Sequence, residues 1–186
     1  METQNSDVII VGGGIAGLIT AYECLNDGLS VMILERDIEA NLGGLAKLSF
    51  GGMALVDTPI QRRMGVKDSP AIALKDWYSF ADFSDDDYWP KQWAKYYVEH
   101  CLKDVYEWLV EHDLKFLPAV NWVERGQYGE GNSLPRYHIL WGTGDRLVNR
   151  FISLLETHKN NHKLEIRYEQ KVHGFIRTSE RITGCQ

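Results

Sequence analysis

Six residues near the start of the chain have the types and spacing of a phosphate-binding turn. Gly12-Gly13-Gly14-Ile15-Ala16-Gly17 fits G-x-G-x-x-G and directly follows the β-branched run Val8-Ile9-Ile10-Val11. Gly12 permits a tight turn, Gly14 lets a pyrophosphate approach the backbone, and Gly17 lets the following helix lie close on the strand. The helix opened by Ile15 and Ala16 turns its unpaired N–H groups and positive dipole end toward the anion. Glu35 lies 18 positions after Gly17 (35 minus 17), at the end of a second apolar run, with Arg36 beside it in the same group. A carboxylate there accepts hydrogen bonds from both ribose hydroxyls of an adenosine and repels a 2′-phosphate.

These residues require a strand, a helix and a second strand to hold them. Val8–Val11 predicts a strand buried on both faces. Ile15 to Leu25 predicts a helix that Asn26-Asp27-Gly28 stops, and Ser30 to Glu35 a second parallel strand, so the three form a right-handed βαβ crossover. The alternation then breaks into a Gly-rich irregular stretch, Ala40 to Gly52. All six Trp fall between Trp77 and Trp141, which marks a mainly helical inserted segment. Within it Pro90 suits the first turn of a helix on which Trp93, Tyr97, Cys101, Val105 and Leu109 recur every four residues as one apolar stripe. Gly142-Thr143-Gly144-Asp145 predicts a turn with an N-cap before a helix carrying Leu147, Phe151, Leu154 and Leu155. Strands follow at 164–168, 172–177 and from Arg181, the last two joined by a turn near Ser179 and Glu180. The fold class is α/β: a Rossmann-like, incomplete parallel sheet with a helical insertion. Its divisions are 1–75 for the dinucleotide unit and Gly-rich loop, 76–141 for the insertion, and 142–186 for the return to the first domain.

Composition narrows the partners. With 44% hydrophobic and 25% charged residues the chain is neither disordered nor embedded in a membrane. Its net charge of −6 opposes a surface for nucleic acid or anionic lipid, both of which need clustered positive charge. Cys24, Cys101 and Cys185 are odd in number and widely spaced, which fits a reducing, cytoplasmic setting. Met1 to Asp7 lacks a secretion signal, and no window is long and apolar enough for a membrane span. The expected partner is a small molecule, with no nucleic acid and no membrane insertion.

Other features carry less. Asp85-Asp86-Asp87 lacks the spacing and distal Glu of a calcium loop, so no metal is expected. Arg136 and His138 could present a cation and an imidazole to an acidic or carbonyl substrate; a surface salt-bridging Arg and a hydrogen-bonded loop His are the commoner roles of such isolated residues. Tyr96, Tyr97, Trp108 and Trp122 could line a sterol-sized cavity or pack between helices.

Beyond the fingerprint, the chain resembles the family of FAD-binding dehydrogenases that includes fumarate reductase flavoproteins and 3-ketosteroid dehydrogenases. Four stretches carry the likeness, which extends over nearly the whole chain. They are Val8 to Glu35; Asn41-Leu42-Gly43-Gly44 with Ser49-Phe50-Gly51-Gly52; Gln61-Arg62-Arg63; and Arg136-Tyr137-His138 with Trp141-Gly142-Thr143-Gly144. The resemblance implies FAD as cofactor and hydrogen transfer across an activated carbon–carbon bond of an enone or steroid-like substrate. It implies that Gly43, Gly44, Ala46, Ser49, Gly51 and Gly52 lie along the pyrophosphate and flavin, where small residues admit a planar ring. It also places the backbone near Val172 at the adenine. Respiratory members attach flavin to a loop histidine; Ala40 to Gly52 has none, so FAD is expected to be non-covalent. The family's chains are much longer, with their proton-handling groups in the C-terminal part. The chain is therefore expected to be a truncated N-terminal portion, inactive alone, with catalytic residues and electron acceptor unassigned. A non-catalytic dinucleotide-binding module and an NAD-linked dehydrogenase remain open, though the Gly43 to Gly52 loop favours FAD.

Overall fold

The computed structural model describes residues 4–120, 122–125 and 130–186. Residues 1–3 of the polar N-terminal stretch, and residues 121 and 126–129 of the expected helical insertion, lie outside the described residues. In chain order the elements are β1 (Val8–Val11), α1 (Ile15–Asn26), β2 (Val31–Leu34), α2 (Gly44–Lys47), β3 (Gly52–Ala54), α3 (Pro59–Arg63), α4 (Pro70–Ala81) and α5 (Tyr88–His100). A π-helical segment (Cys101–Glu107) leads into α6 (Trp108–Glu111), followed by β4 (Tyr137–Ile139), α7 (Thr143–Glu156), β5 (Leu164–Arg167), β6 (Phe175–Thr178) and β7 (Arg181–Cys185). Two units divide the chain: Met1–Ser49 with Gly144–Gln186, and Phe50–Thr143.

The first unit is built on a parallel sheet in the order β1-β2-β5. Val8 pairs with Val31 and Val11 with Leu34, while Val31 and Leu34 pair on their other side with Leu164 and Arg167. β2 is central, and Val31, Met32 and Ile33 are buried, as a strand paired on both edges requires. β1 departs from the expectation of burial on both faces: Ile9 and Val11 are exposed. Ile10 faces α1 beneath Gly17, whereas Ile9 and Val11 point to the opposite face, where they line an open cleft with Phe175 and Ile182. α1 buries Gly17, Leu18, Ala21 and Leu25, and α7 buries Leu147, Val148, Phe151 and Leu155. The two helices meet where Tyr22 stands edge-on to Phe151. Asn160 donates through Nδ2 to the Leu25 carbonyl (2.8 Å), satisfying one of the acceptors that the end of α1 leaves open. β6 and β7 form an antiparallel hairpin with the expected turn, Ser179 taking a φ of 55°. Val172, expected to begin that strand, precedes it in irregular chain.

The second unit joins helices to a short antiparallel pair, β3 with β4, in which Gly52 faces Ile139 and Ala54 faces Tyr137. Neither strand was anticipated: β3 follows the stretch read as an irregular Gly-rich loop, and β4 ends the segment read as mainly helical. α3 and α4 are started by local chemistry. Thr58 and Gln61 form a reciprocal capping box with Pro59 at the first helical position, and the Ser69 hydroxyl accepts from Ile72 N–H before Pro70. α5, the π-helical segment and α6 run on continuously. Residues spaced by four drift about 40° per step on a 3.6-residue helix; the wider π turns offset that drift, and Cys101 and Leu109 are both buried. Trp93, the first residue of the expected stripe, is exposed instead, while Ala94 and Val98 are buried, Val98 against Leu55, Val56 and Ala73.

Candidate cofactor site

The glycine turn sits where β1 ends and α1 begins. The Gly12 N–H donates to the Leu34 carbonyl (2.9 Å), continuing the sheet one residue past β1, and a φ of 101° at Gly12 then turns the chain as only glycine does readily. Gly14 is the N-cap of α1 and supplies no side-chain bond, so the first N–H groups of the helix are left for an outside acceptor. A β-carbon built on Gly14 meets nothing within 4 Å, whereas one built on Gly17 collides with the Gly12 carbonyl oxygen. One glycine keeps a hollow open; the other allows helix and strand to touch.

Glu35 is fixed in advance of any ligand. Its Oε2 accepts from Gly13 N–H (2.6 Å) and its Oε1 from Asp37 N–H (2.9 Å). Each carboxylate oxygen can accept a further bond, so both remain competent for a ribose diol while the side chain is held still. The second glycine loop comes against the first. Gly43 N–H donates to the Gly13 carbonyl (2.9 Å), and Gly14 and Gly43 form an isolated parallel bridge. Gly43 has a φ of 100°, and a side chain there would strike Val148 of α7. Ala46 and Ser49 lie beneath the start of α7: the Ser49 carbonyl accepts from Gly144 N–H (3.0 Å), and the Ser49 hydroxyl donates to the Ala46 carbonyl (2.8 Å).

A cleft of about 710 Å3 opens along these elements, lined by Gly12, Glu35, Arg36, Gly44 and Val172 among others. Residues 169–172 are drawn to it because Gln170 N–H donates to the Glu35 carbonyl (2.8 Å). Lys47 and Lys171, which the sequence alone did not single out, also line it and bring positive charge. An ADP group fits this chemistry: open backbone N–H groups for phosphate, a held carboxylate for ribose, and cations at the rim.

Gly51 and Gly52 fall in the second unit. Gly51 accepts from Leu140 N–H through its carbonyl (3.0 Å), and Gly52 sits in β3, where a side chain would run into the Tyr137 ring.

Arg136 and His138 are placed differently from the substrate-facing reading. Both are buried in the second unit. Arg136 grips Asp68 with Nε (2.7 Å) and Nη2 (2.8 Å), and its Nη1 reaches Asp76 (2.7 Å) and Asn132 (3.0 Å). His138 has both ring nitrogens engaged, Nε2 with Thr58 Oγ1 (2.7 Å) and Nδ1 with the Arg136 carbonyl (2.6 Å). Burial pushes the His138 imidazole below its ordinary range, against the opposing pull of Arg136's carbonyl and Asp68. For Asp76 burial acts upward, but bonds from Ser133 and Arg136 outweigh it and hold the carboxyl low. Gln61 joins the network through Nε2 to Asp68 (2.9 Å) and the Pro135 carbonyl (2.9 Å). These groups hold the unit together and have little left for a substrate. Thr58 and Gln61 carried a readable signal, the T-P-x-Q capping box; Asp68 and Asp76 carried none. The aromatic group divides likewise: Tyr97 stands edge-on to Trp77, Tyr96 stacks on His100, and Trp122 tilts over Tyr137.

Sheet, glycine turn and held carboxylate define a dinucleotide-binding α/β unit. The FAD binding domain family matches residues 7–186, and the chain belongs to that family; its cofactor is FAD. A KsdD-like steroid dehydrogenase of Mycobacterium tuberculosis is 43% identical over 189 residues, covering 100% of this chain and 33% of the relative. One of Mycolicibacterium smegmatis is 46% identical over 186 residues, covering 98% of this chain and 34% of the relative. The chain thus spans about a third of the length of these relatives. Among solved structures, 3-ketosteroid-delta4-(5alpha)-dehydrogenase from Rhodococcus jostii superposes with a TM-score of 0.77 at 22% identity, over 97% of this chain and 41% of that one. A flavocytochrome c3 fumarate reductase does so with a TM-score of 0.79 at 18% identity, over 98% of this chain and 30% of that one. Both likenesses establish the fold. No helix among the described residues is long and apolar enough to cross a membrane.

Proposed function

We propose that the first unit holds FAD non-covalently as the N-terminal part of a flavin-dependent dehydrogenase or reductase that acts on an activated carbon–carbon bond of an enone or steroid-like substrate. The observation that carries the reading is the pairing of an empty-faced Gly14 at an uncapped helix N-terminus with a Glu35 carboxylate already held by Gly13 N–H at 2.6 Å. In this reading Glu35 receives the adenosine ribose, with Arg36 and Val172 beside the adenosine. Gly12, Gly13 and Gly14, with Ile15, Ala16 and Gly17 of α1, receive the pyrophosphate. Gly43, Gly44, Ala46 and Ser49 follow the cofactor toward the flavin. Bound FAD supplies hydride exchange with the substrate. The residues of this chain bind and orient the cofactor; the acid or base that handles the substrate proton is not assigned to any of them.

The steroid-like substrate is supported by the names of the two mycobacterial relatives, each a steroid dehydrogenase similar along nearly the whole of this chain. A small-molecule substrate and a separate electron acceptor complete the cycle. A cytoplasmic location fits the three unpaired cysteines. The absence of histidine from Ala40 to Gly52 favours non-covalent attachment. The full-length protein should therefore release FAD on acid precipitation, and flavin retained by the precipitate would overturn that attachment. Assays of the full-length protein with an artificial electron acceptor and a panel of enones and steroids should show turnover. Activity confined to other substrate classes would overturn the substrate reading.

A further inference from the structure

Beside the cofactor cleft, the first unit has a second hollow of about 290 Å3 between α7 and the edge strand β5. Two periodicities build it. Leu164, Ile166 and Tyr168 alternate onto one side of β5 and the residue after it, while Glu165 and Arg167 turn to the other, where they pair at 2.7 Å. Ile152, Leu155 and Glu156, three and four positions apart, share one face of α7. The floor is therefore aliphatic: Ile152, Leu155, Leu164 and Ile166. A dry apolar cavity of about 150 Å3 takes one benzene ring, so this hollow has room for a ring and a short chain.

The rim is acidic. Glu39 stands in the 3-10 turn Glu39–Asn41 and Glu156 is the last residue of α7. Neither carboxylate has a hydrogen bond or ion pair among the described residues, and neither does the Tyr168 hydroxyl. Burial, then the charges of Glu39, Glu156 and Glu35, push the Tyr168 phenol above its ordinary value, so both rim carboxylates lie within electrostatic reach of that oxygen. The negative end of the α7 dipole falls at Glu156 as well. Lys47 also lines the hollow, but its ammonium is tied to the Ala40 carbonyl (3.2 Å), and two carboxylates with a helix C-terminus outweigh it. An anion is repelled at such a rim, a neutral ring leaves the carboxylates unused, and a bare cation leaves the aliphatic floor unfilled. A cation carried on an apolar body satisfies both parts.

We propose that this hollow binds a primary ammonium carried on a single-ring apolar body, the body on Ile152, Leu155, Leu164 and Ile166 and the ammonium at the rim of Glu39, Glu156 and Tyr168. The site is independent of the FAD reading. Ala40 and Lys47 border it and the cofactor cleft alike, so the test reads location as well as affinity. NMR titration of the chain with 2-phenylethylammonium should move the Ile152, Leu155 and Ile166 methyl signals and the Tyr168 ring signals saturably, with the Gly12, Gly13 and Gly14 amides unmoved. 2-Phenylethanol keeps the ring without the charge, and methylammonium keeps the charge without the ring; each should bind about fivefold or more weakly. Exchanging both carboxylates, Glu39→Gln with Glu156→Gln, should weaken 2-phenylethylammonium by about fivefold or more at unchanged Tm, since neither is bonded within the fold. On the wild-type chain, added salt should weaken it too. Absence of a saturable shift, shifts confined to the Gly12–Gly14 amides, equal affinity for methylammonium or 2-phenylethanol, affinity indifferent to salt, or full affinity in the double variant would each overturn the proposal.

Discussion

Gly14 and Gly17 belong to one hexapeptide, yet a side chain would act oppositely at each. At Gly14 the added atoms enter open space, so Gly14→Val should cost the fold no more than about 1 kcal/mol, the scale of a poor N-cap, while filling the hollow proposed for phosphate. At Gly17 the added carbon meets the Gly12 carbonyl, and Gly17→Ala should destabilise by about 1–3 kcal/mol through overpacking. Denaturant titration of both variants checks this, and the reverse order of stabilities would contradict the geometry. Glu35→Gln exchanges a charged acceptor for a neutral one at the ribose and gives the Gly13 and Asp37 N–H groups a weaker partner. FAD affinity should fall by roughly 1–3 kcal/mol; an unchanged Kd would remove Glu35 from the ribose site.

Among the elements, β4 and the residue just before it carry the groups on which the second unit depends. Arg136 joins α4, through Asp76, to the loop of Asp68, and removing it leaves two buried carboxylates without their cation. Arg136→Met should cost about 3–5 kcal/mol, measured by urea denaturation; a loss below about 1 kcal/mol would mean that the pair is effectively solvated. His138 gives the unit a pH dependence. The folded state holds its imidazole below the ordinary value of 6.5, so the unfolded chain takes up the proton first. Stability is therefore full above about pH 6.5 and declines as pH falls from there toward the folded value. His138→Gln should flatten that slope below about pH 6.5; an unchanged slope would assign the proton uptake elsewhere. These elements also show where the sequence is readable. The Gly12–Gly17 turn, α1 and the hairpin turn at Ser179 are local patterns, written within a few residues. Arg136's partners lie 68 and 60 positions away, and nothing near Arg136 announces them. β3 and β4, three residues each, are too short to show an alternating pattern. Trp93 kept the four-residue spacing but not the burial, because helical spacing alone cannot say which of two apolar faces meets the neighbouring helix.

At the scale of the molecule, the first unit gathers its cofactor chemistry from distant parts of the chain: the turn after β1, Glu35 after β2, the loop at Gly43 and Gly44, and residues 170–172 after β5 all border one cleft. A ligand bound there should stabilise the folded state by about 2.7 kcal/mol at a hundredfold excess over Kd. The most direct test is calorimetric titration of ADP and FAD into the wild-type chain and into Gly14→Val. ADP carries the ribose and pyrophosphate that we propose Glu35 and Gly12–Gly14 hold, so it reads the cleft without the flavin. The account predicts that both ligands bind the wild-type chain at one shared site, and that Gly14→Val, still folded, binds neither. A wild-type chain that takes up neither ligand, or a folded Gly14→Val that binds both as well as wild type, would contradict it.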